Sequence, residues 1–208
     1  MTSYEAYMKK RALIIGILLV FAVGAVFCSS TYYERGDQVF SIRAGVDFPS
    51  FLFFFNDSSR NQTFSDIHMQ SVGGVASISY QGFLNEYFAI GGELGYQFIN
   101  SLTPSLYTTV PITAKLTYYP VQTGLFDLAI SANAGFAFIK YDTGKYFAPF
   151  ASLTVAPTFY ITDTWGIGLE SGIMASAEIY LKNSSYDKYQ HNSVLGMIPL
   201  TVVVSYRH

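Results

Sequence analysis

Two short stretches carry the residue types of nucleophilic catalysis. Ser65, Asp66 and His68 stand close together, and so do Asp187, His191 and Ser193. A hydroxyl nucleophile, an imidazole base and an orienting carboxylate can cleave acyl or ester bonds when each reaches the next. Both stretches lie among Ser, Asn and Asp residues, however, where such side chains commonly serve turns. No regular element presents a histidine beside them, so the expectation is no catalytic residue and no enzyme. His68, His191 and His208 are scattered, and Cys28 is the single cysteine. Neither pattern has metal-ligand spacing, so no metal and no cofactor are expected. GIGLESG at 166–172 lacks the spacing of a phosphate-binding loop and lies inside an alternating segment.

A second set of residues has electrostatic work to do. Arg43, Glu93, Lys115 and Glu170 each occupy the polar phase of an alternating segment. Counted from the short-turn end of those segments they fall at one level, provided that shear does not separate them. Two cations and two anions at one level make a charge layer across a lumen. Glu93 and Lys115 sit on segments that should pair, where diagonal neighbours about 7–8 Å apart are within reach of long side chains. The expectation is a plug with little steady ion conductance. Asp47, Asp127 and Glu178 share the inward phase as further lumen-facing charges.

These residues need a frame, and the alternation supplies it. In FSIRAGVDF at 40–48, apolar residues alternate with Ser41, Arg43, Gly45 and Asp47. A period of two marks a strand with two unlike faces. Eight such segments are read: 38–48, 72–84, 88–98, 107–119, 125–138, 148–161, 166–180 and 194–206. Short connections (NEY, PVQTG, TDTW) alternate with longer ones at about 49–71, 99–106, 139–147 and 181–193. The polar face is mostly Gly, Ala, Ser and Thr, which suits the crowded inside of an eight-stranded barrel better than a solvated surface. The apolar face then meets lipid. The fold class expected is all-β, an eight-stranded antiparallel transmembrane β-barrel with short periplasmic turns and longer extracellular loops. Tyr87, Phe88, Tyr118, Tyr119, Tyr160 and Trp165 are expected in one aromatic girdle, and Tyr96, Phe98, Tyr107, Phe138 and Tyr180 in the other. Gly91, on the lumen side, is expected to accept serine. Phe51 to Phe55 is expected to extend the first strand or to dip to the membrane interface.

Composition agrees. Of 208 residues, 50% are hydrophobic and only 12% charged, about half the usual share for a soluble domain, so a water-facing surface is short of charge. A net charge of −2 offers no basic field for nucleic acid. Residues 1–28 read as a signal peptide starting at Met8: Lys9, Lys10 and Arg11 precede an apolar run from Ala12 to Phe27, with cleavage near 28–30. AVFC at 25–28 is a degenerate lipobox, and bulky Phe27 argues against lipidation of Cys28. Residues 29–208 are the barrel domain, exported to the outer membrane.

GDQVFSIRAGVDFP after the signal peptide is similar to the opening of OmpW, and VPITAKLTYYP at 110–120 resembles a strand common to the wider superfamily. The chain thus resembles the small eight-stranded bacterial outer-membrane barrels, those of the OmpA transmembrane domain and of OmpW and OprG, including spirochaetal members. The closing strand, with Leu200, Val202, Val204 and Tyr206 in alternation, is similar to the signal read by the barrel-assembly machinery. Arg207 and His208 depart from the usual terminal aromatic. The resemblance implies passage of small, apolar solutes out through the wall. The alternative is a structural or adhesive protein meeting host or envelope partners through loops 49–71 and 181–193. Lipid-A modification is the third reading. The partners expected are outer-membrane lipid, the assembly machinery and a small-molecule solute, with no nucleic acid.

Overall fold

The computed structural model describes residues 32–55, 61–63, 72–100, 106–141, 144–178 and 193–208, with the backbone alone at 100, 141, 144, 146 and 178. The signal-peptide region, Tyr180, Ser65, Asp66, His68, Asp187 and His191 lie outside these residues. Nine strands follow in order: β1 (Gln38–Phe54), β2 (Gln62–Thr63), β3 (Gly73–Phe83), β4 (Phe88–Asn100), β5 (Leu106–Gln122), β6 (Phe126–Tyr141), β7 (Gly144–Tyr160), β8 (Trp165–Glu178) and β9 (Ser193–Arg207). All pairings are antiparallel. Neighbours in sequence pair from β3 to β9, β1 pairs with β3, and β1 also pairs with β9, which closes an eight-stranded barrel. The two-residue β2 adds a rung outside it, against Phe51 and Leu52.

Phase decides which side chains meet lipid. Phe88, Ile90, Leu94, Tyr96 and Phe98 of β4 are exposed, whereas Ala89, Glu93, Gln97 and Ile99 are buried. Leu200, Val202 and Val204 of β9 face out, and Thr201, Val203 and Ser205 face in. An exposed apolar wall around a buried polar interior inverts a soluble protein and fits a lipid-facing barrel.

The strands run further than alternation alone indicates. β1 continues through Phe54, past an irregularity between Pro49 and Phe51 where its pairing with β9 shifts. The Phe51–Phe53 run therefore extends the strand, and the Phe51 and Phe53 rings stack at 4.8 Å. The connection expected at 139–147 is mostly strand, since β6 reaches Tyr141 and β7 begins at Gly144. At the other end the turns are tight and held by side chains: Asn85 Oδ1 accepts from the N–H of Tyr87 and Phe88, both at 2.9 Å, and Thr162 Oγ1 from that of Trp165 at 2.9 Å. These are the local jobs Asn and Thr do in turns.

Two expectations need correcting. Tyr107, Tyr119 and Tyr160 are buried in the lumen and belong to neither girdle, because each stands one residue from an outward position. Tyr87, Phe88, Tyr118 and Trp165, and at the far end Tyr96, Phe98 and Phe138, do face outward. Gly91 has no room for a side chain, since a Cβ there would lie 1.9 Å from the Tyr80 carbonyl oxygen. Gly45, Gly135 and Gly172 are in the same position, at 2.2, 2.2 and 2.1 Å from a neighbouring carbonyl. A sheet closed this tightly must bend, and glycine lets one strand pass close to the next.

Candidate functional site: a charge layer across the lumen

The interior is stratified. In the middle, β1, β4, β5 and β8 each place one charged side chain inward at adjoining levels. Arg43 donates through Nη2 to Glu93 Oε1, through Nη1 to Glu170 Oε1 and through Nε to Ser77 Oγ. One guanidinium thus spans the lumen and uses the planar fork that makes arginine suited to buried carboxylates. Lys115 Nζ donates to the other oxygen of Glu93 at 3.0 Å. Asn133, from β6, donates to Glu93 Oε2 at 3.5 Å and to Ser152 Oγ at 3.0 Å. All four charged residues are buried, and their formal charges cancel. Burial of each charge is tolerable only because the others are there.

Arg43, Glu93, Lys115 and Glu170 are therefore in direct contact as one network. The other inward charges do not join it. Asp47, 0% exposed, lies one inward step beyond Gly45, and neither of its carboxylate oxygens makes a well-formed hydrogen bond. Asp127 stands near the short-turn end in a cluster of its own. Glu178 pairs through its backbone with Ser193, and its side chain lies outside the described residues.

Towards the long-loop end the inward positions turn apolar. Val75, Ile99, Tyr107, Ile139, Phe150, Met174, Leu195 and Met197 form one buried cluster, with Leu52 packed against it. Each occupies the same inward phase as the charges below it, so phase could have located them. The prevalence of small inward residues elsewhere hid this change.

At the short-turn end a second cluster joins the two ends of the described chain. Tyr33 lies ahead of β1, yet is only 1% exposed. Its ring stacks on Phe83 at 4.0 Å, and its hydroxyl donates to Asp127 Oδ2 and lies 3.2 Å from the Tyr160 hydroxyl. Burial first, then the nearby Asp127 and tyrosine oxygens, raise the Tyr33 pKa well above the usual phenol range, so it stays a protonated donor. The N–H groups of Tyr32 and Tyr33 both donate to Gln122 Oε1, at 3.3 and 3.2 Å. Arg207 enters from the other terminus. Its guanidinium lies over the Tyr32 and Tyr160 rings at 3.7 and 3.4 Å and 3.5 Å from Asp127 Oδ2. It also donates to the carbonyls of Asp163 at 2.9 Å and Gly124 at 2.6 Å, which ties β9 to two turns. Thus Arg207, read from sequence as a departure from a terminal aromatic, is a lumen residue in phase with Val203 and Ser205.

A protein-family model matches residues 24–206. An uncharacterized protein of Treponema pallidum (strain Nichols) is 27% identical over 116 residues, 56% of this chain. The chain matches across about half the length of that curated relative, 51%. Among solved structures, Neisserial surface protein A superposes with a TM-score of 0.50 at 12% identity, covering 82% of this chain and 96% of that one. Ail of Yersinia pestis gives 0.47 at 10% identity, over 84% of this chain and all (100%) of that one. OprG of Pseudomonas aeruginosa gives 0.44 at 8% identity, over 86% and 99%. Likeness at such low identity is likeness of fold, and the chain closes its own eight-stranded antiparallel barrel with the apolar side out. The chain has the fold of the small eight-stranded outer-membrane β-barrels.

Proposed function

We propose that this outer-membrane barrel holds its lumen shut and acts at the outer surface, as a structural or adhesive protein working through the loops at 49–71 and 181–193. The observation that carries the closed lumen is the Arg43 guanidinium, which engages Glu93 and Glu170 at once while Lys115 holds the free oxygen of Glu93; with the lumen shut, the long loops are the part left to act. An ion crossing this level must break paired, buried charges, which costs several kcal/mol. Planar-bilayer recording tests it. Little steady conductance is expected, and a large, stable wild-type conductance would overturn the reading.

The second reading is OmpW-like passage of small apolar solutes that leave sideways through the wall. The apolar inward cluster around Ile99, Tyr107, Met174 and Met197 favours it, because such a lining suits an apolar guest above a closed charge layer. Uptake of small apolar solutes into liposomes containing the barrel separates the two. On either reading, the segment at 1–28 directs export, and Leu200, Val202, Val204 and Tyr206 present the closing strand to the assembly machinery. Neither reading calls for catalysis, and a lipid-A mass shift on expression would reveal it.

A further inference from the structure

Between the charge layer and the short-turn mouth lies a cavity of about 30 Å³. Arg43, Lys115 and Glu170 line it from above, Ser131 from the side, and Asp127 and Tyr160 from below. One buried water needs roughly 10–15 Å³, so about two fit. Asp127 Oδ1, buried and making no well-formed hydrogen bond within the protein, offers an acceptor to one of them. The walls are polar enough to keep such waters.

Asp127 and Tyr160, the floor of this cavity, are backed from the mouth side by residues outside any paired strand, with the Tyr33 hydroxyl bonded to Asp127 and beside that of Tyr160. Tyr32 and Tyr33 precede β1 and make no ladder with any strand. They are held by ring contacts, by the Tyr33 hydroxyl and by two N–H groups sharing one acceptor on Gln122. The connection to β1 turns at Gly36, whose φ of 104° is left-handed. Contacts of this kind open at lower cost than a sheet ladder, because no strand pairing has to break. From the end of β9, the Arg207 side chain completes this backing layer, lying over the Tyr32 and Tyr160 rings.

We infer that Tyr32, Tyr33 and Arg207 form a latch that closes a small aqueous chamber at the periplasmic mouth, so that two separate barriers seal the lumen with water held between them. The charge layer on which the closed-lumen reading rests is the ceiling of the chamber, and the latch is its door. Opening the latch admits water and water-sized ions to the chamber and leaves the ceiling shut.

The test places a thiol in the chamber wall. Ser131→Cys, in a Cys28→Ser background, is treated with silver ion, a thiol reagent about the size of a water molecule, on the folded barrel in detergent, and the loss of free thiol is followed by quenching and mass. Slow labelling is expected behind the intact latch. Tyr33→Ala should raise the rate about tenfold or more, as expected when local opening replaces a closed state. Heat-modifiable gel migration reports folding. Should Tyr33→Ala fail to fold, Gln122→Ala, which frees both latch N–H groups, gives the same decision through a smaller increase. Equal rates with and without the latch would overturn the inference, whether both are fast or both slow. Bilayer conductance should not change in these variants. A conductance appearing with the latch removed would count against the charge layer and leave the latch standing.

Discussion

Glu93 and Lys115 are diagonal neighbours on paired strands. Lys115 stands opposite Gly91 and Glu93 opposite Thr113, and the charged ends meet at 3.0 Å. Because Arg43 holds the other oxygen of Glu93, the pair is part of a shared network. Lys115→Ala or Arg43→Ala should each destabilise the barrel by about 3–5 kcal/mol, the usual cost of orphaning a buried charge. The Glu93→Ala/Lys115→Ala double variant should cost less than the two single changes together, by about 0.5–3 kcal/mol. Denaturant unfolding in lipid vesicles measures this, and strict additivity would show that the two residues are not coupled.

Leu94 sits halfway along β4 with its side chain on the outer wall. Leu94→Arg should cost about 2–4 kcal/mol, the penalty for a cation at the bilayer midplane on a barrel surface. Normal stability of this variant in lipid would mean that the outward phase is misassigned.

Gly91 and Gly124 provide a matched pair. A Cβ at Gly91 meets backbone at 1.9 Å, whereas none lies within 4 Å of one at Gly124. Gly91→Ser should therefore destabilise by about 1–3 kcal/mol or more, as overpacking does, and Gly124→Ala should be close to neutral. Equal tolerance at both sites would show that the β3–β4 contact yields easily.

Sidedness is checked by labelling. A cysteine replacing Asn61, beside β2, should react with an impermeant reagent on intact cells, whereas one replacing Asp163, in the turn before β8, should not. The reverse pattern would invert the barrel in the membrane.

Eight alternating segments were enough to read the barrel, because lipid on one side and a narrow lumen on the other enforce the period of two. The charge layer was legible for the same reason. Arg43, Glu93, Lys115 and Glu170 all stand in the inward phase, and shear leaves them within reach. At Tyr107, Tyr119 and Tyr160 phase overrides residue type: each adjoins an outward position and therefore faces in. The crowding at Gly91 is not legible, because a sequence shows what a glycine lacks and not how close the next strand passes. The docking of Tyr33 carries no periodic signal. It depends on Phe83, Gln122, Asp127 and Tyr160, which come together only after the barrel has curled.

The meeting of Tyr33 with Arg207 and of Val39 with its strand partner Arg207 also bears on how the protein folds. These contacts join the first and last described parts of the chain, so their sequence separation is among the highest in the described residues. The chain entropy of joining such distant segments is spent before their contacts can return anything, and topologies of this kind fold slowly. Hairpins such as β6–β7 can form early from local pairing. The aromatic and ionic seat of Arg207 draws on Tyr32, on Asp127 of β6, on Tyr160 of β7 and on two turns, so it can form only after distant parts of the chain have been brought together.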